Sequence, residues 1–157
     1  MATGQVPLTV IVAIDGSDIA EFALNWYLDG LHKEGNKVIL FHAEEPLTVI
    51  GEVPSVESYE QMVEDGRQRS EKLEDKFRKI LQNRNVQGEV HSVYGNRPGE
   101  TVVESARKHG VDLIVMGTRG LNRNRRTMMG SCSDYVTHHA HCPVLVCRQG
   151  EGSSLVE

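Results

Sequence analysis

Apolar, β-branched runs alternating with segments of helical spacing constrain this chain more than any other feature. The run "LTVIVAID" (Leu8–Asp15) is continuous rather than alternating, so a strand made from it must be buried on both faces. The segment after it has Ser17 or Asp18 to cap a helix, with Ile19, Phe22, Ala23 and Trp26 on one face. "GNKVILFHA" (Gly35–Ala43) gives a turn and a second buried strand, followed by a Pro- and Gly-containing loop over Glu44 to Val53. A long polar helix is expected from about Ser55 to Arg84, its inner face formed by Leu73, Phe77, Ile80 and Leu81. "VQGEVHSVYG" (Val86–Gly95) is a less apolar strand and belongs nearer an edge. Pro98 suits the first turn of the next helix, Val102, Val103 and Ala106 mark its buried side, and Gly110 ends it. "VDLIVMG" then gives a buried strand, Cys132, Tyr135, Val136, His139 and Ala140 a helical stripe, and "PVLVC" a last strand. This alternation predicts a parallel sheet with helices on both faces and right-handed crossovers.

At 157 residues the chain is expected to form one domain, residues 1–148, with a flexible tail over 149–157. No apolar run approaches a membrane span, and the N-terminal "MATGQVPLTV" lacks the basic-then-apolar layout of a signal peptide. Three cysteines, Cys132, Cys142 and Cys147, cannot all pair within one chain, so free thiols and a cytoplasmic location are expected.

Charge is unevenly placed. From Gly117 to Ser131 the chain carries Arg119, Arg123, Arg125 and Arg126 and no acid, so the −5 total leaves −9 for everything else. That acidic remainder and a pI near 5.8 argue against nucleic acid or an anionic membrane as the partner. In an open α/β sheet, ligands bind beyond the carboxyl ends of strands, where strand order reverses. The arginine-rich loop leads from such an end, at Met116, to a helix beginning near Gly130, whose free N–H groups and dipole favour an anion. The Ser131 and Ser133 hydroxyls are further donors there. Neither GxxxxGK[ST] nor a GxGxxG after the first strand is present.

The spacing G-x2-G-x9-G-S (Gly117, Gly120, Gly130, Ser131), between "VDLIVMG" and "SDYVTHHAHCPVLV", resembles the nucleotide-binding branch of the universal stress protein family. The resemblance runs from "VIVAIDGS" through "VILFHAEEP" to the terminal strand. It implies a Rossmann-like, three-layer sandwich of the adenine nucleotide alpha hydrolase type, with a five-stranded parallel sheet of order 3-2-1-4-5. It also implies a homodimer; "PVLVCR", short, apolar and at a sheet edge, makes the C-terminal strand the expected seam. Carried over by position, Asp15 faces the ribose and a phosphate-bound Mg2+ or Mn2+, Ala43 reads the adenine edge through its backbone, and Met116 flanks the base. Gly117 lies at the ribose. Gly120, Gly130, Ser131, Cys132 (through its backbone) and Ser133 surround the phosphates of ATP or AMP.

The expected function is an adenine-nucleotide-binding stress-response dimer that signals to a protein partner by its occupied state. A slow ATPase or self-phosphorylating enzyme, and a chaperone-like dimer with a structural nucleotide, are the alternatives. Phosphoryl transfer needs a metal, a positioned nucleophile and in-line charge stabilisation. The arginines and Asp15 supply two of these, and His42 is the one nearby candidate base. No catalytic residue is assigned, and the reading is binding with at most weak hydrolysis or autophosphorylation. Zinc at "HHAHC" (His138–Cys142) is set aside because His139 belongs to the buried stripe while His138 and His141 fall elsewhere. Cys142, before Pro143, is read as a packing residue, and Glu44 and Glu45 as exposed loop acids. Arg123, Arg125 and Arg126 exceed what a phosphate cradle needs, which points either to tighter phosphate binding or to an exposed basic patch with its own partner.

Overall fold

A computed structural model describes residues 4–118 and 130–149. Elements alternate as β1 (Thr9–Ala13), α1 (Asp18–Gly30), β2 (Lys37–Glu44), α2 (Val56–Asn83), β3 (Gly88–Tyr94), α3 (Pro98–Lys108), β4 (Leu113–Gly117), α4 (Ser131–His139) and β5 (Val144–Cys147). The strands form one parallel sheet of order β3-β2-β1-β4-β5, a Rossmann-like arrangement. Gly120 and the four loop arginines, and the tail from residue 150 on, lie outside the described residues.

The sheet separates two cores. One face carries Val10, Val12, Val38 and Leu40 against Leu24 and Tyr27 of α1 and Phe77 and Leu81 of α2. The other carries Ile11, Ile39, Phe41 and Ile114 against Val102, Val103 and Ala106 of α3 and Val136 of α4. The central strand is wholly buried at Val10, Ile11 and Val12, as its unbroken apolar run requires, whereas β3 lies at an edge and buries none of its residues. Ser17 caps α1 by accepting the Ala20 N–H, Ser55 caps α2 in the same way, and Pro98 opens α3. Gly110 follows α3 with φ +59°, a left-handed conformation that glycine adopts without strain.

Two expected faces are rotated. On α1 the inward stripe is Ala20, Ala23, Leu24, Tyr27 and Leu28; Ile19 and Phe22 are half-buried and Trp26 is 46% exposed. Small Ala20 and Ala23 let the helix backbone approach the sheet, and the bulky indole is left on the rim. On α4, Ser133 and Val136 are buried while His139 is exposed. The helix stops there, with Ala140 extended, and the His139 ring stacks on Tyr135 at 4.0 Å instead of entering the core. The remaining buried polar group near α1 is satisfied: Asn36 accepts the Leu8 N–H at 3.0 Å and donates to the Tyr27 hydroxyl at 3.2 Å.

Candidate functional site

The crossover leaving β1 runs toward β2, while β4, on β1's other side, is entered from α3, so strand order reverses between β1 and β4. A cleft of about 1060 Å³ opens there, at the top of the roughly 300–1,000 Å³ range of small-molecule sites. Eight of the nine residues singled out in the sequence line it: Asp15, Ala43, Met116, Gly117, Gly130, Ser131, Cys132 and Ser133. The ninth, Gly120, is outside the described residues.

Most of the eight are held by a definite local cause. Asp15 follows β1 and turns back on Ser17, its Oδ1 accepting the Ser17 N–H at 2.9 Å and the Ser17 hydroxyl. Ala43 is near the end of β2 and Met116 near the end of β4. Gly117 has a packing reason of its own, since a Cβ there would lie 2.8 Å from Cγ2 of Ile19. Gly130 is the N-cap of α4 and brings no side-chain cap. The first backbone bond of α4 runs from the Asp134 N–H to the Gly130 carbonyl at 2.9 Å, so the N–H groups of Ser131, Cys132 and Ser133 have no acceptor inside the helix.

The serines differ. The Ser131 residue is exposed, whereas Ser133 is buried and its hydroxyl donates to the carbonyls of Thr118 (2.8 Å) and Gly130 (3.1 Å). That hydroxyl fastens the turn, together with the Gly130 N–H bond to the same Thr118 carbonyl; what Ser133 has left for a ligand is its N–H. Burial, reinforced by the Asp15 charge, pushes the Cys132 thiol up to about 11, so it stays protonated and is no nucleophile at neutral pH. Asp134, the acid in this first turn, lies 3.4 Å from Nε2 of His138.

The opposite wall is less legible in the sequence. Met62, Gly66, Arg69 and Ser70 of α2 line the cleft, as do Leu47, Tyr94 and Pro98. A glycine in the middle of a long helix was the one signal pointing to that wall. Arg67 is held by Glu64 and Glu71, while Arg69 has no ion-pair partner among the described residues. Glu44, expected as an exposed loop acid, instead closes β2, and its side chain is only 12% exposed. Glu45 is exposed as expected. The Glu44 carboxylate hydrogen-bonds the Tyr94 phenol and holds it above its usual range. Cys142 packs against the core on the α3/α4 face. No helix of the described residues is long and apolar enough to cross a membrane.

The universal stress protein family model matches residues 8–148. A universal stress protein of Thermus aquaticus is 33% identical over 141 residues, which cover 89% of this chain and 98% of that one. Among solved structures, the universal stress protein UspA from Lactobacillus plantarum superposes with a TM-score of 0.76 at 23% identity, over 92% of this chain and all of that one. A family member from Arabidopsis thaliana, described with AMP bound, gives 0.70 at 21% identity over 92% and 94% of the two chains. The order of the strands, the match along nearly the whole chain and the likeness to the Thermus protein agree: the chain belongs to the universal stress protein family.

Proposed function

We propose that this chain binds an adenine nucleotide, ATP or AMP, in the cleft between β1 and β4, and acts in the cytoplasm as a stress-response protein whose occupied state is read by a partner. The observation that carries this reading is the uncapped N-terminus of α4, three N–H groups without a helical acceptor, at the point where strand order reverses. The residues fit the ligand: Gly130 leaves room for a phosphate to reach those groups, and Asp15 lines the cleft where ribose hydroxyls or a phosphate-bound divalent cation would be held. The AMP described in the Arabidopsis relative supports the same chemistry.

Among the described residues, efficient turnover lacks a base. Asp15 already accepts two bonds from Ser17, and His42 stands on the far wall beside Glu44. Purified protein should therefore retain nucleotide, identified by mass spectrometry after denaturation, and hydrolyse it far below the roughly 1–100 s⁻¹ of kinases. Asp15→Ala should weaken binding by about tenfold, the worth of one charge-assisted hydrogen bond, and leave residual hydrolysis per bound ATP unchanged. A single-turnover rate near one per second that collapses in Asp15→Ala, with affinity preserved, would instead make the protein an enzyme.

A two-fold dimer through β5 completes the reading. That strand is short, apolar and at the sheet edge opposite β3, where unpaired backbone groups favour a second strand. Light scattering at micromolar concentration should give about twice the 17.5 kDa chain mass; a monomer at all salt concentrations would exclude it.

A further inference from the structure

The wall of the cleft facing α2 carries two side chains that nucleotide binding does not use, and a third lies beside them. His42 and Glu44 are two residues apart on β2, so both project from the face that Leu40 turns toward α1 and α2. Glu74 comes from α2, next to Leu73, which packs on that core. One ligand atom from each of the three lies within 4.8 Å of the others.

Their surroundings leave a charge unanswered. His42 and Glu44 are 14% and 12% exposed, and Nδ1 of His42 is out of reach of solvent with no hydrogen-bond partner. Oε1 of Glu44 is 3.7 Å from that nitrogen, too far for a hydrogen bond. Glu74 accepts a hydrogen bond from the Ser92 hydroxyl on β3. Neither carboxylate has a lysine or arginine partner among the described residues. Among the described residues the two carboxylates are held only by hydroxyls, Glu44 by the Tyr94 phenol and Glu74 by Ser92. They converge with a histidine whose Nδ1 is bare in a partly buried corner, and a cation is the group that would satisfy all three.

We infer that His42, Glu44 and Glu74 form a binding site for a divalent transition-metal ion, with Zn2+ the best match. Imidazole nitrogen with carboxylate oxygen suits zinc, whereas magnesium favours oxygen ligands alone. Ligand bonds of about 2.0–2.2 Å require donors roughly 3.3 Å apart. The present spacing closes to that by turning the two carboxylates about their broad terminal torsions. Ser92 holds Glu74 from behind, the role of an outer partner that orients a ligand. His42 and Glu44 line the cleft, so the ion has an entry path, and three protein ligands would leave zinc a fourth position. Bound metal would tie the end of β2 to the C-terminal half of α2, the helix that walls the cleft. The site does not rest on the nucleotide reading.

Calorimetric titration of the chelator-treated protein with Zn2+, without nucleotide, tests this. The expected result is one ion per chain, with Glu74→Gln and His42→Asn each weakening binding by at least about tenfold. Zn2+ should raise the Tm of the wild type and not that of Glu74→Gln, a readout that remains if His42→Asn does not fold. A double variant, His138→Asn with His141→Asn, should bind as the wild type does. Failure to saturate near one ion per chain, affinity unchanged in Glu74→Gln, or binding lost with the exposed histidines would each overturn the assignment.

Discussion

Gly130→Val should abolish measurable ATP binding and leave the fold standing. The backbone at Gly130 has φ −65° and ψ 158°, an extended conformation that valine adopts without strain. Its branched side chain would then occupy the space through which a phosphate reaches the N–H groups of Ser131, Cys132 and Ser133. A hydrogen bond to a charged partner contributes about 1.5–3 kcal/mol, so losing two of them weakens binding by more than roughly 100-fold. Equilibrium dialysis with ATP, on protein shown to be folded by its circular dichroism, checks this. Unchanged affinity in a folded variant would remove α4 from the site.

The largest effect on stability is expected at Phe77. This ring is 0% exposed and, with Leu81, is what α2 fully buries. Both lie in the C-terminal half of a 28-residue, mostly polar helix, so the N-terminal half, which supplies most of the cleft wall, rests on half-buried side chains such as Met62. Phe77→Ala deletes the ring from the core it shares with Leu40 and Tyr27 and should cost about 3–5 kcal/mol, a large share of the roughly 5–15 kcal/mol of a typical domain. The urea midpoint should fall accordingly. A loss below about 1 kcal/mol would mean that α2 is anchored elsewhere.

The order of elements was legible because the inner strands β1, β2 and β4 are buried on both faces, which forces continuous apolar runs such as Val10–Val12 that no amphipathic helix displays. Helix faces were read less well. Trp26 and His139 are large and fall at helical spacing, but which stripe of a helix meets a sheet depends on how close its backbone comes, and that depends on Ala20, Ala23 and the stop at Ala140. On the β1/β4 side, the turn at Asp15 and the start of α4 are local in sequence, and glycines and serines marked them. The α2 wall could not be found this way. Glu44, Glu74 and Ser92 come together only through the pairing of β2 with β3 and the packing of α2 across them. The strand order itself came from family resemblance, since alternation alone permits several orders.

The central claim is that an adenine nucleotide occupies the cleft at the start of α4. The most direct measurement is a titration of nucleotide-free protein with ATP and then AMP, followed through the backbone amide resonances. Saturable shifts should centre on Asp15, Ala43, Gly117 and the amides from Gly130 to Ser133, with one nucleotide bound per chain. No saturable shift up to millimolar nucleotide, or shifts that leave the Gly130–Ser133 amides unmoved, would contradict it.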